Sequence, residues 1–224
     1  MADITAKMVK SLREKSGAGM MDCKKALQEN NGDEAKAMDW LRKKGLADVG
    51  KKAGRVAAEG SVGSYIHAGG KIGVMVEVNC ETDFVARGDD FQGFVKEVAM
   101  HVAAAAPSYV RREEVPEAEI AAEREVFKAQ VIEQGKPANI ADKIVDGKIN
   151  KWFAEICLME QAWVKEPKQS IEDLRAELVN KTGENVQIRR FSRFVLGEGI
   201  EKKKENLAEE VAKMNKKAAQ KNEG

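Results

Sequence analysis

The side chains that most often carry out bond chemistry are few in this sequence and stand apart from one another. The 224-residue chain has two histidines, His67 and His101, and three cysteines, Cys23, Cys80 and Cys157. No group of them has the spacing of a zinc site, a paired disulfide framework or a Cys/His catalytic pair. The sequence therefore predicts reduced thiols, no metal or other cofactor, and no enzyme activity, with His101 structural on its alanine-rich helix.

The glycine-containing segments do not form a phosphate-binding loop. The pairs Gly70-Lys71, Gly135-Lys136 and Gly147-Lys148 each lack the glycine five residues earlier and the Ser or Thr that follows in a nucleotide-binding loop. Gly17-Ala18-Gly19 follows a predicted helix rather than a strand, which disfavours a dinucleotide site. We expect that the chain binds no nucleotide itself.

Charge and hydropathy exclude further classes of function. Lys and Arg total 38 and Asp and Glu total 37, so no whole-chain field attracts nucleic acid or an anionic membrane. The basic clusters Lys51-Lys52, Arg189-Arg190 and Lys202-Lys203-Lys204 lack base-stacking aromatics, so we interpret them as solvated faces. No run of 18 or more apolar residues could span a bilayer, and no export or transit segment precedes the first helix. The expected location is the cytoplasm, without nucleic acid or membrane as partner.

One short segment does suggest a binding function. Thr82, Asp83, Phe84 and Val85 follow a strand of alternating valines over residues 72–78 and precede a predicted helix. A Thr82 cap and a Val85 in the core would leave Phe84 turned outward beside a carboxylate. An exposed aromatic on a rigid turn is a good anchor for a pocket of another protein. Position alone is equally compatible with a buried Phe84.

The elements that would position this segment predict a predominantly helical α+β fold. Hydrophobic periodicity divides the chain into five parts: a three-helix module over 1–45, a linker over 46–59 that is helical in part, an α+β core over 60–116 and 161–199, a protruding helical hairpin inserted over 117–160, and a C-terminal helix and tail over 200–224.

Turn chemistry gives more local expectations. Asp22 and Asp33 are predicted helix N-caps, and Gly45 is predicted to end the third helix in the left-handed conformation. The strand that begins at Val186 carries cationic residues on both faces, which favours a position near an edge of the sheet or at an interface.

Three segments together resemble the elongation factor Ts family, the guanine-nucleotide exchange factors of elongation factor Tu. They are LREKSGAGMMDCKKAL over 12–27, EVNCETDFVA over 77–86 and GEGIEK over 197–202. The resemblance covers nearly the whole chain. It implies a ubiquitin-associated type of N-terminal module, a mixed core, a protruding hairpin and a C-terminal helix that adds a further contact.

The resemblance also implies a site and a mechanism. The factor would bind the GDP form of elongation factor Tu, through its G domain and neighbouring domains, promote release of GDP and magnesium, and hold the empty state until GTP binds. Asp83 and Phe84 match the family's pair of residues that enters a pocket of the partner's G domain. Arg13, Met20 and Met21 match positions by which the N-terminal module binds the same domain. His67 resembles a core position that lies at the partner interface in some members. The flanking Thr82 and Val85 belong to the same segment.

The sequence departs from the longer family members in one respect. The hairpin over 64–85 occurs once, so a homodimer in a two-plus-two complex is an alternative to a monomer, and Ser192 stands where some short relatives carry a dimer-linking cysteine. Two other functions remain open: a helical adaptor that binds protein without exchange, and a ribosome-associated RNA-binding accessory, suggested by the lysine-rich tail.

Overall fold

The computed structural model describes residues 4–135 and 137–200, with only the backbone of residues 46, 47, 138 and 139. Within these ranges the fold is predominantly helical α+β, with two small antiparallel sheets. No helix of the described part is long and apolar enough to cross a membrane. The predicted C-terminal helix falls on residues 201–224 and lies outside the described residues.

A three-helix module opens the chain, with helices α1 (Ala6–Ser16), α2 (Met20–Glu29) and α3 (Glu34–Lys52). Its boundaries follow from local caps: Thr5 and Asp33 accept hydrogen bonds from the first turns of α1 and α3, and Gly17 ends α1 at φ 65°. The helices enclose a small apolar core of Val9, Leu12, Cys23, Ala26, Leu27, Ala37 and Leu41.

Two of the cap predictions in this module are wrong. Gly19, not Asp22, is the N-cap of α2, and Asp22 lies in the first turn, where it pairs with Lys44 of α3. Gly45 does not end α3, which continues for seven residues to Lys52. A Cβ at Gly45 would lie 2.5 Å from Nδ2 of Asn180, so this glycine allows close packing against a neighbouring helix rather than a turn.

The core begins with a β-hairpin and the helix that covers it. Strands β1 (Glu59–Ile66) and β2 (Ile72–Cys80) are antiparallel, in a register from Glu59 opposite Cys80 to Ile66 opposite Gly73. A short helix α4 (Asp83–Ala86) and the long helix α5 (Asp89–Ala105) follow. The alternating valines of β2 are buried and face the core that contains α5, as their period of two requires.

Helices α6 (Glu117–Glu133) and α7 (Ala138–Ile156) form the predicted antiparallel hairpin. Their apolar residues at helical spacing form a cluster of their own, which includes Ile120, Phe127, Val131, Ile144, Trp152, Phe153 and Ile156. Ile140, which has the same spacing, is exposed instead. The Cζ atom of Arg112 lies 4.6 Å from the ring centroid of Phe153, so a cation–π contact connects the hairpin to the preceding segment.

The remaining elements complete the core. Strands β3 (Ala162–Trp163) and β4 (Glu166–Ser170) form a two-stranded sheet, and helix α8 (Ile171–Thr182) begins with a capping box of Ser170 and Asp173. Strand β5 (Gln187–Val195) then joins the first sheet in the order β1-β2-β5. Its predicted edge position is confirmed. Contacts divide the chain after Phe194, and only residues 195–200 of the second part are described.

Candidate protein-binding site

Helix α4 presents Phe84 to solvent, which is one of the two orientations that its local sequence allows. Thr82 is the N-cap, and its hydroxyl accepts a hydrogen bond of 3.3 Å from the backbone N–H of Val85. The inward positions of the turn are filled by Ala86, which is buried, and by Val85, which packs partly against the core. Phe84 is 84% exposed, so the alternative of a buried ring is wrong.

The acidic neighbour of Phe84 is held only weakly. Asp83 accepts a hydrogen bond of 2.8 Å from the guanidinium of Arg87, one helical turn later. Both side chains are largely exposed, and surface ion pairs of this kind contribute about 0–1 kcal/mol. The carboxylate of Asp83 can therefore exchange Arg87 for a donor on another protein at little cost.

A distant carboxylate holds the turn that carries Phe84. Glu184, in the loop between α8 and β5, accepts hydrogen bonds of 3.0 Å from the backbone N–H groups of Glu81 and Thr82 and one of 2.6 Å from the Thr82 hydroxyl. Because 102 residues separate Thr82 from Glu184, no spacing rule could have identified this residue from the sequence.

The same loop is bound in return. The carboxylate of Glu81 accepts a hydrogen bond of 2.6 Å from the backbone N–H of Asn185, and the buried amide of Asn185 donates one of 2.7 Å to the carbonyl of Arg55. Three segments of the chain thus meet behind α4. They give the exposed ring of Phe84 a rigid base.

The predicted residues of the three-helix module flank the turn between α1 and α2 in the sequence. Arg13 is exposed in the last turn of α1, and Met20 and Met21 begin α2 with exposures of 55% and 75%. Packing inside the module therefore does not account for the two methionines. All three side chains are available to a partner.

His67 lies apart from Phe84. It follows β1 at the end of the β-hairpin opposite to α4, and seven residues of strand separate the two ends, which is roughly 23 Å at about 3.3 Å per residue. Its Nδ1 lies 3.1 Å from the hydroxyl of Tyr65. Residues 82–85 thus form one exposed turn, and the structure does not bring His67 to it.

The thiols and the buried histidine have structural environments. Burial raises the pKa of both Cys80 and Cys157 to about 11, so both thiols are protonated at neutral pH. Burial lowers the pKa of His101, whose Nε2 lies 2.9 Å from the amide oxygen of Gln161. Within the described ranges no three His, Cys, Asp or Glu side chains form a cluster suited to a metal ion.

Two of the three basic clusters are engaged with the protein itself. Arg189 and Arg190 donate hydrogen bonds of 2.8 and 2.6 Å to the carboxylate of Glu77, and together they lower its pKa. Lys51 pairs with Asp48, and Lys52 donates to a backbone carbonyl of α8. The third cluster, over residues 202–204, lies outside the described residues.

The described residues define a predominantly helical chain of the α+β class, in which a capped turn exposes an aromatic ring of the kind that suits a pocket of another protein. The sequence model of the family described as Elongation factor TS matches residues 7–198. The relatives include Elongation factor Ts of Anaeromyxobacter dehalogenans, strain 2CP-1 / ATCC BAA-258, which is 67% identical over 95% of this chain and 97% of the relative.

Two relatives of lower sequence identity have the same description. Elongation factor Ts of Geobacter sulfurreducens is 62% identical over 93% of this chain and 97% of the relative, and that of Carboxydothermus hydrogenoformans is 57% identical over 95% and 100%. The chain belongs to the elongation factor Ts family, and its role lies in translation elongation.

Proposed function

We propose that this chain is a guanine-nucleotide exchange factor that binds elongation factor Tu in its GDP form in the cytoplasm and promotes release of GDP and magnesium. The observation that carries the proposal is the 84% exposure of Phe84 on a turn whose other side chains are capped, paired or packed. A large apolar ring held in water by a rigid turn is suited to insertion into a pocket of a partner.

The exchange follows from differential binding and requires no bond to be made or broken by this chain. A protein that binds the nucleotide-free GTPase more tightly than its GDP form must weaken GDP binding by the same factor. Phe84 acts as a wedge in the G domain near the switch region, and Asp83 disturbs hydrogen bonds there after leaving Arg87. GTP then binds the empty GTPase and displaces the factor.

The three-helix module supplies a second area of contact with the same G domain. Its exposed group of Arg13, Met20 and Met21 offers both an apolar surface and a positive charge. Methionine side chains adapt to an irregular partner surface because they are flexible and polarizable. The contact by the module adds affinity, whereas Phe84 produces the change in the nucleotide site.

The test is the release of a fluorescent GDP from elongation factor Tu, followed by stopped flow with and without this chain. The proposal predicts a strong acceleration that saturates with the concentration of the chain. Binding to elongation factor Tu without acceleration would assign the chain to the class of helical adaptors instead.

A homodimer is a second proposal, supported by the outer face of the three-stranded sheet. Val62, Ile66 and Met75 project from the side opposite the buried valines, and each is more than half exposed. Phe194 of the neighbouring strand β5 is 65% exposed. A second copy of this chain, in a complex of two factors with two GTPases, would cover these side chains. The contact would be non-covalent, because Ser192 stands where a dimer-linking cysteine would be needed.

A further inference from the structure

The contacts of Glu184 define the geometry of the Thr82 hydroxyl. That hydroxyl has one proton, which it donates to Oε1 of Glu184 at 2.6 Å, because a carboxylate can only accept. A lone pair of the same oxygen is then free to accept the N–H of Val85 at 3.3 Å. Glu184 thus orients the cap of α4 in addition to binding two backbone N–H groups itself.

Helix α4 depends on such support because of its length. It has four residues, Asp83–Ala86, and so short a helix is not stable by itself in water. The side chain of Phe84 is directed into solvent, so its packing does not stabilise the turn. The direction of the ring is therefore set by the backbone of the turn, and the turn is held by Glu184.

We propose that Glu184 is a positioning residue for nucleotide exchange: it holds the turn before α4 in the conformation in which Phe84 enters the partner. This inference rests on the proposed function and assigns a role to a residue outside the Phe84 segment. A rigid turn reduces the entropy that is lost when the ring is inserted. Without Glu184, the same complex forms but requires a higher concentration of the factor.

The expected effect of Glu184→Ala separates affinity from rate. The concentration of factor that gives half-maximal GDP release rises about tenfold, which corresponds to about 1.4 kcal/mol. The maximal release rate at saturating factor changes by less than about twofold, because the complex, once formed, holds Phe84 in place. Glu184→Gln keeps the length of the side chain and one acceptor oxygen, so we expect an intermediate effect. This variant replaces Glu184→Ala in the experiment if Glu184→Ala does not fold.

The decisive experiment is a double-mutant cycle with Phe84→Ala. If Glu184 acts through Phe84, the tenfold shift appears in the native background and disappears in the Phe84→Ala background. An equal shift in both backgrounds, or none in the native one, overturns the inference. Glu160→Ala is the matched control, because Glu160 binds Arg112 near the helical hairpin and should give no shift in either background.

A second readout does not require elongation factor Tu. Amide hydrogen exchange of Val85, measured by NMR, accelerates in Glu184→Ala but not in Glu160→Ala, because only the first loses the carboxylate that orients the Thr82 cap of α4. Unchanged protection of Val85 in Glu184→Ala overturns the inference. Failure of the proposed function itself shows differently, as absence of accelerated GDP release by the native chain.

Discussion

Arg42 of the three-helix module donates two hydrogen bonds, of 3.0 and 2.6 Å, to the carboxylate of Asp173 at the start of α8. The same carboxylate accepts from the backbone N–H and the hydroxyl of Ser170, which completes the capping box. One side chain therefore joins the module to the core and starts a core helix. Together with the packing of α3 against α8, this contact holds the module against the core.

The Arg42–Asp173 pair makes stability depend on pH. Burial by itself raises the pKa of Asp173, but the hydrogen bonds from Arg42 and Ser170 outweigh burial and hold this pKa below its usual value. A carboxyl with a lowered pKa in the folded state contributes stability above its unfolded pKa of about 3.9, and that contribution is lost as the pH falls through the folded pKa. Asp173→Asn should lower the free energy of unfolding by about 2 kcal/mol at neutral pH.

Urea unfolding at a series of pH values measures this contribution. The difference between the native chain and Asp173→Asn should shrink below about pH 4. Glu177→Gln is the control of opposite sign, because burial, followed by the charge of Asp173, raises the pKa of Glu177. Relative to that variant, the native chain should lose stability as the pH rises. A constant difference for Asp173→Asn across the pH range would contradict the account.

Two glycines of the core should respond oppositely to an added methyl group. A Cβ at Gly63 of β1 would overlap the buried side chain of Val95 in α5, whose β-branched shape cannot turn away. Gly63→Ala should therefore lose about 1–3 kcal/mol of stability. Gly93→Ala, in an open position of α5, should gain about 0.5–1 kcal/mol. Thermal unfolding of both variants compares them, and equal melting temperatures would refute the packing described.

The methionines at the start of α2 should contribute affinity for elongation factor Tu. Replacement of Met20 and Met21 together by alanine should weaken binding by about 1–2 kcal/mol, since both side chains are available to a partner. Titration calorimetry with nucleotide-free elongation factor Tu gives the affinity. Val164→Ala is the matched control, because Val164 is 45% exposed, near the 55% of Met20, and lies between β3 and β4, outside both proposed contact surfaces. A similar loss in both proteins would argue against a contact by the module.

Self-association should depend on the outer face of the sheet. Phe194→Ser removes a large exposed apolar side chain from β5 and should shift the mass measured by sedimentation equilibrium toward the monomer. Phe84→Ser, which removes an equally large exposed ring elsewhere, should leave the mass unchanged. A native chain that is monomeric at all concentrations would reject the homodimer.

Local sequence signals predict the cap at Thr82 and make an exposed Phe84 one of two alternatives, because every signal lies within a few residues of the ring. The alternating valines end at Val78, and the cap at Thr82 fixes which of the next residues turn outward. The support from Glu184 could not be predicted in this way, because it depends on a chain reversal that brings two loops together. Periodicity identifies the faces of elements, but not which distant loops meet.

Gly45 shows why one local signal can mislead. A glycine that follows a regular apolar stripe is compatible both with a left-handed helix end and with a close approach between helices. Only the position of Asn180 in α8 distinguishes the two, and that position depends on the tertiary fold. The N-cap prediction for Asp22 is wrong for a similar reason, because Gly19 caps the helix three residues earlier.

The most direct measurement of the central claim is stopped-flow release of a fluorescent GDP from elongation factor Tu by the native chain, by Phe84→Ala and by Ile132→Ala. The account predicts strong acceleration by the native chain and by Ile132→Ala, and a loss of about 30-fold or more in Phe84→Ala, as for an interface hot spot worth about 2 kcal/mol or more. Circular dichroism should show all three equally folded, since the side chains of Phe84 and Ile132 are both largely exposed to solvent. Equal acceleration by Phe84→Ala and the native chain would contradict the role of Phe84 as the wedge.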